Sequence, residues 1–201
     1  MSVGSSAPLI ISAGEALIDL LASPTDNWWE IESFVPRIGG APANASVAIS
    51  RLGGQAGFLG CLADDPPGDW IRQRLSGEGV DLSKCVAVQN AQTRLAVVTG
   101  SVEQRDFVFY GSPPADSLLA PEHVDNAGIE EASAVIIGSL LLLSEPGRSA
   151  LMRILEIATQ KGTPLTFDPN PRRKYWPDPE IARQSMLPFI RSASILKLGV
   201  G

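Results

Sequence analysis

An α/β domain built on a mostly parallel sheet is the fold class that this sequence predicts, and three observations predict it. From Pro121 onward, short apolar runs alternate strictly with segments of helical period, the succession that right-handed βαβ crossovers produce. Earlier, Arg37-Ile-Gly-Gly-Ala-Pro-Ala-Asn-Ala-Ser46 joins a glycine turn to a small-residue helix that stops at Gly53-Gly54. Between these regions, two alternating runs flank a short polar turn and predict a hairpin buried on one face. With 201 residues, 44% of them hydrophobic, the chain is long enough for one sizeable core.

Taken in order, Leu9 to Ala13 is an apolar run closed by Gly14, which predicts a buried first strand. Gly14-Glu-Ala-Leu-Ile-Asp19 continues it and places Asp19 just past the strand's carboxyl end, the ligand side of an open α/β sheet. A loop carboxylate that merely meets solvent is the other reading. Pro24 to Asn27 is a turn, and Trp28 to Pro36 reads as an exposed strand whose tryptophans pack. Gly39 and Gly40 have no Cβ, so the backbone can turn tightly and let a ligand approach its N–H groups. Pro42 suits the first turn of a helix over Ala43 to Leu52, which sets Asn44 facing the loop. An amide offers both donor and acceptor, a pair that suits sugar or ribose hydroxyls. A tight loop before a packing helix explains the same spacing.

Gln55 to Leu62 predicts a second core strand, Trp70 to Leu75 a helix ended by Gly77 and Gly79, and Lys84 to Gln89 a further strand. Asp64 and Asp65, adjacent on a proline-rich turn, read as solvated charges, since neighbours rarely converge on one ligand. In the hairpin formed by Thr93 to Thr99 and Arg105 to Tyr110, the alternation groups Leu95, Val97, Phe107 and Phe109 on one apolar face. That face is expected to be covered by a ligand site or by a partner subunit. Beyond it come a strand at Ala134–Ser139, a helix at Pro146–Lys161, a strand at Pro164–Asp168, a helix at Pro179–Arg191 and a strand at Ala193–Leu198.

Several function classes are disfavoured. A net charge of −6 without a basic stripe argues against a nucleic-acid surface. Two cysteines, Cys61 and Cys85, have no metal-site spacing and favour a reducing cytoplasm. The N-terminal apolar stretch is interrupted by Glu15 and Asp19 and does not read as a signal peptide, and no stretch is long enough for a membrane span. No P-loop occurs, and no Gly-x-Gly-x-x-Gly follows a strand, which disfavours a nucleotide-dependent oxidoreductase. The single histidine, His123, reads as a surface residue, so any general base would be a carboxylate.

A second constellation, Leu165-Thr-Phe-Asp168-Pro-Asn170-Pro-Arg172, puts three polar side chains beyond a strand's carboxyl end, stiffened by two prolines. Arg172 offers a planar fork for a phosphate or carboxylate, unless it simply pairs with Asp178 or Glu180.

In order, the chain carries Gly-Glu-x-x-Ile-Asp, Gly-Gly-x-Pro-x-Asn, Phe-Val-Phe-Tyr with a following Ala-Asp, and Phe-Asp-Pro-Asn-x-Arg with a following Trp. This series, from Ile11 to about Lys197, resembles the ribokinase-like (PfkB) carbohydrate kinases and is most like fructokinases. The resemblance implies a three-layer α/β/α fold with a mostly parallel central sheet and a small β lid. The lid would comprise Leu17 to Arg37 and Thr93 to Ser112, close over the sugar and form a possible homodimer contact. It implies that Asp19, the Gly39 and Gly40 backbone and Asn44 hold sugar hydroxyls, with Asn170 in the same site. Arg172 would approach the phosphoryl or acidic end of the ligand, and Glu145 would fall near a sugar-binding carboxylate used by some relatives. For the complete enzyme it implies ATP and Mg²⁺.

The sequence departs from the family pattern at Ala63, at Gly111-Ser112 and at Gly199, and it lacks the Gly-Ala-Gly-Asp run that carries the family's catalytic aspartate. The expectation is therefore a 1–201 sugar-binding portion, with the C-terminal third missing and no catalytic or metal residue in this chain. A 2-keto-3-deoxygluconate kinase and a non-catalytic sugar-binding or regulatory module are the alternatives.

Overall fold

The computed structural model describes residues 8–23, 25, 27–100 and 105–199. The chain runs β1 (Leu9–Ala13), β2 (Leu17–Ala22), β3 (Phe34–Gly39), α1 (Ala41–Arg51), β4 (Gln55–Leu59), β5 (Cys61–Ala63), α2 (Pro66–Gly77) and β6 (Val86–Val88). It continues through β7 (Leu95–Gly100), β8 (Arg105–Tyr110), α3 (Pro121–Val124), β9 (Ala134–Gly138), α4 (Gly147–Lys161), β10 (Leu165–Asp168), α5 (Pro179–Ser192) and β11 (Ile195–Leu196).

Five strands form a parallel sheet in the order β11-β10-β9-β1-β4. Such a sheet must be covered on both faces, because its strands are apolar throughout. One apolar cluster joins Ile11, Val135, Ile137 and Phe167 to Leu151 and Ile154 of α4 and Phe189 of α5. On the other side, Ala56 and Phe58 pack with Ala43 of α1 and with Ile71 and Leu75 of α2. Burying each large side chain contributes about 1.5–3 kcal/mol, so these two clusters fix the three layers. The small residues of α1 follow from this packing: Ala43 and Ser46 are fully buried, which brings the helix axis close to the sheet.

A second, mixed sheet stands apart in the order β3-β2-β7-β8, with β2 parallel to β7 and the outer pairs antiparallel. Asp19 lies inside β2 of this sheet rather than just past the end of β1. The strand expected over Trp28–Pro36 begins only at Phe34, because Asn27 caps a 3₁₀ turn at Trp28–Glu30 by accepting the Trp29 N–H. The strand expected over Gln55–Leu62 divides at Gly60, where the carbonyl accepts the Val86 N–H and the chain leaves the central sheet to pair with β6. The end strand is shorter than its apolar run, covering only Ile195–Leu196.

The hairpin register differs from the grouping that alternation suggests. Phe107 opposes Val98 and Phe109 opposes Ala96, whereas Leu95 opposes Tyr110 and Val97 opposes Val108. Directly opposed residues share a face, so the two phenylalanines lie on the opposite face from Leu95 and Val97. Alternation fixes which residues of one strand go together, but the turn sets which set of the partner strand joins them.

Candidate functional site

A cleft of about 460 Å³ opens between the carboxyl ends of β9 and β10, the start of α1 and one face of the small sheet. It is lined by Leu17, Asp19 and Leu21 of β2, Val98 of β7, and Phe107 and Phe109 of β8. Two glycines make its β3–α1 corner possible. A Cβ on Gly39 would stand 2.4 Å from Leu17 Cδ1 and 2.7 Å from Asp19 Oδ1. Gly40, at φ 96°, would bring a Cβ to 2.4 Å from the Glu15 carbonyl oxygen. The loop is therefore as close to β2 and to the β1–β2 connection as backbone can come.

Gly40 occupies the N-cap position of α1 and has no side chain to cap it. Glu15 does this from outside the helix: its Oε1 accepts the Ala41 N–H at 3.1 Å. The Glu15 side chain is buried, and its Oε2 has no hydrogen-bond partner among the described residues. Burial pushes its carboxyl up to about 7; Asp116 adds to the rise, while its own and the Ala41 backbone N–H and Arg94 oppose it. Asn44, one turn further on, is exposed on the cleft wall.

The facing wall comes from the segment after β10. Asn170 adopts φ 27°, a left-handed conformation that asparagine tolerates better than most residues, and lines the cleft. The Arg172 guanidinium lies 4.0 Å above the Phe107 ring. Tyr175 stacks on Phe109 at 4.8 Å and donates its hydroxyl to the Phe107 carbonyl at 2.8 Å. Lys174 bonds Asp106 and the same carbonyl. Lys197 reaches Asp168 at 2.6 Å, and the Ser139 hydroxyl donates to the Pro169 carbonyl. Beneath the hairpin, Arg94 Nε holds both oxygens of the buried Asp116, at 2.8 and 3.0 Å.

The cleft thus brings together five of the residues singled out from sequence: Asp19, Gly40, Asn44, Asn170 and Arg172. Gly39 lies behind Asp19 and supports it by having no side chain. Glu145 is not brought in; it is exposed at the start of α4, where its carboxylate accepts the Ser149 N–H at 3.1 Å. Asp65 caps α2 through the Gly68 N–H and receives two hydrogen bonds from Thr93. His123 accepts the Ala120 N–H at the start of α3. The readings from sequence overlooked Glu15, Lys197 and Tyr175. Glu15 had one signal, a carboxylate directly after a glycine that ends a buried strand.

Chemically, the cleft pairs an aromatic wall with carboxylate, amide and guanidinium groups, a combination suited to a polyhydroxylated ligand with one apolar face. Among the described residues no group of three or more His, Cys, Asp or Glu could hold a metal ion.

Comparison with known proteins points the same way. The profile of the pfkB family carbohydrate kinases matches residues 7–199. A probable fructokinase-3 of Arabidopsis thaliana is 41% identical over 192 residues, covering 94% of this chain and 56% of the relative. An uncharacterized sugar kinase of Pyrococcus horikoshii superposes with a TM-score of 0.86 at 28% identity, over 94% of this chain and 62% of its own. A fructokinase of Xylella fastidiosa, crystallised with bound ATP, superposes with a TM-score of 0.83 at 32% identity, over 94% of this chain and 60% of its own. The chain spans about 60% of the length of these relatives.

Proposed function

This chain belongs to the pfkB family of carbohydrate kinases, and from that premise we propose that it forms the sugar-binding portion of an ATP-dependent hexose kinase, with fructose as the sugar. One observation carries the reading: Asp19, Asn44, Asn170 and Arg172 line one cleft together with the aromatic residues Phe107, Phe109, Tyr175 and Trp176. The Asp19 carboxylate accepts hydrogen bonds from two sugar hydroxyls, and the Asn44 amide donates to one and accepts from another. Phe107 and Phe109 cover the apolar face of the ring and exclude water. Arg172 offers positive charge at the far end of the sugar.

The small sheet acts as the lid and as a homodimer contact of a cytoplasmic protein. ATP binding, Mg²⁺ and the catalytic aspartate belong to residues that this chain does not contain. Support for this comes from the share of the relatives that it spans and from the missing Gly-Ala-Gly-Asp run. A second reading, a site for 2-keto-3-deoxygluconate, is favoured by Arg172, whose guanidinium would receive the sugar carboxylate.

Isothermal titration of the purified chain with D-fructose, D-glucose and 2-keto-3-deoxygluconate tests the sugar. Fructose is expected to bind, and Asp19→Ala to weaken that binding by about five- to 150-fold. Tighter binding of the keto acid that is lost in Arg172→Ala would move the assignment to the second reading. A coupled assay for ADP with fructose, ATP and Mg²⁺ tests the division of labour. No turnover is expected, and sustained ADP release abolished by Asn44→Ala would place the chemistry within this chain.

A further inference from the structure

Helix α1 begins at Ala41 with a glycine at its N-cap, so none of its first N–H groups can be satisfied by a capping side chain of its own. A side chain at Gly40 is ruled out by space, since its Cβ would stand 2.4 Å from the Glu15 carbonyl oxygen. The helix start can therefore be capped only from outside, and Glu15 does so. Its carboxyl sits in room left by a second glycine: a Cβ on Gly138 would lie 3.3 Å from both carboxyl oxygens. The group is 5% exposed, with one oxygen on Ala41 and the other without a partner among the described residues.

A buried carboxyl with one unsatisfied oxygen is a costly way to cap a helix. It is positioned, however, where capping matters to the cleft, directly behind the turn that carries Gly39 and Gly40 and one turn before Asn44. We propose that Glu15 is a positioning residue for the sugar cleft: its carboxylate holds Ala41, fixes the Gly39–Gly40 turn and with it Asn44, and the ligand is bound by the ionised form. This rests on the sugar-binding reading above.

The ionised form is the better clamp for two reasons. A hydrogen bond to a charged acceptor is about twice as strong as a neutral one. The helix dipole also favours negative charge at its N-terminus. The other charges that bear on Glu15 are few. Asp116, on the 3₁₀ turn over Ala115–Leu118, raises its affinity for a proton, and Arg94, just before β7, lowers it. Asp19 of β2, Asp168 of β10 with its partner Lys197, and Arg172 line the same cleft, whereas β1, β9 and α1 as far as Ser50 carry no charged side chain. Burial leaves Glu15 titrating at about 7, so both forms are reached under ordinary conditions.

The test measures two things on wild type, Glu15→Gln and Glu15→Ala from about pH 5.5 to about 8.5. The first is the backbone amide resonances of Gly40, Ala41 and Asn44. In wild type they should shift with one midpoint near 7, and in Glu15→Gln they should not. The second is D-fructose affinity, which should strengthen about tenfold in wild type as pH rises through that midpoint. Glu15→Gln keeps an acceptor for Ala41 but no charge, so its affinity should be flat and equal to that of wild type at acid pH. Glu15→Ala should be weaker still, with cooperative unfolding retained.

Amides that titrate identically in wild type and Glu15→Gln would overturn the inference, assigning the midpoint to Asp116 or another group. So would wild-type affinity in Glu15→Gln at every pH. If wild type binds no fructose, the sugar assignment fails, and the amide titration alone decides whether Glu15 is the clamp.

Discussion

The carboxylate of Asp19 rests directly on Gly39: a Cβ on Gly39 would stand 2.7 Å from Asp19 Oδ1 and 2.4 Å from the side chain of Leu17 opposite it. Gly39→Ala must therefore displace both side chains, and overpacking of this kind costs about 1–3 kcal/mol. On the proposed reading the displaced residue accepts the sugar hydroxyls, so the loss should appear twice. Urea unfolding should report that destabilisation, and calorimetry should show fructose affinity weakened by about tenfold or more. Unchanged affinity in a destabilised Gly39→Ala protein would show that Asp19 does not contact the sugar.

Removing the Asp19 carboxylate separates binding from folding more cleanly. Asp19 is half-buried on the cleft wall. Leaving a ligand hydroxyl unpaired costs about 1–3 kcal/mol. Asp19→Ala should therefore weaken fructose binding by about five- to 150-fold while the protein still unfolds cooperatively. Equal losses in both measurements would mark Asp19 as structural.

The pH dependence of stability has a definite sign. The folded Glu15 carboxyl titrates at about 7 against an ordinary value of 4.5, so between these values the folded state holds a proton that the unfolded state has lost. Stability from this group is greatest below about pH 4.5 and is lost as pH rises through about 7, a span worth about 3 kcal/mol. Glu15→Gln should abolish that slope and be more stable than wild type at about pH 8. Chemical denaturation at several pH values checks it. On the proposed role of Glu15, its charge would be held at the expense of the fold.

Asp116 and Arg94 form a different kind of buried pair, 1% and 15% exposed at the side chain. Burial raises the Asp116 carboxyl above its ordinary value, and Arg94 opposes that rise. Arg94→Ala leaves the carboxylate without its counter-charge, a change that typically costs about 3–5 kcal/mol. The loss should be largest at alkaline pH and shrink in acid, where Asp116 is protonated. A pH-independent loss in thermal unfolding would point to lost packing of the Arg94 stem instead.

The layers of this fold were legible because parallel strands and the helices that cover them leave long, uninterrupted signals. Leu9–Ala13 and Pro179–Arg191 were readable from apolar runs, period and terminal residues alone. The small sheet was harder, since its hairpin register depends on the turn, and alternation assigned Leu95 and Val97 to the wrong face. The division at Gly60 was hidden because an apolar strand that leaves one sheet for another stays apolar. In the cleft, Asn44 and Arg172 stood out as polar residues beside glycine or proline turns, whereas Asp19 was singled out as lying just past β1 and is instead inside β2. Glu15 did not stand out, because its role depends on the distant Gly40 and Gly138 leaving it room. Glu145 was placed by resemblance alone, and no local signal distinguished a cleft residue from a helix cap.

The closure of the cleft gives the last prediction. Among the described residues, five contacts join β8 to the segment after β10: Arg172 over Phe107, Tyr175 on Phe109, the Tyr175 hydroxyl to the Phe107 carbonyl, and Lys174 both to Asp106 and to that same carbonyl. They are not of equal weight. Lys174 and Asp106 are 47% and 67% exposed at the side chain. Solvent-exposed pairs of this kind contribute about 0–1 kcal/mol. An aromatic pair adds about 0.5–1.5 kcal/mol beyond its buried area, and a neutral hydrogen bond about 0.5–1.5 kcal/mol. Tyr175 makes both and is half-buried. The aromatic residue rather than the ion pair should therefore hold the small sheet against the body. Lys174→Ala should leave hydrogen exchange in β8 almost unchanged, Tyr175→Phe should raise it modestly, and Tyr175→Ala should raise it most and weaken fructose binding. If Lys174→Ala and Tyr175→Ala open β8 equally, or if the difference vanishes at high salt, electrostatics rather than stacking closes the cleft.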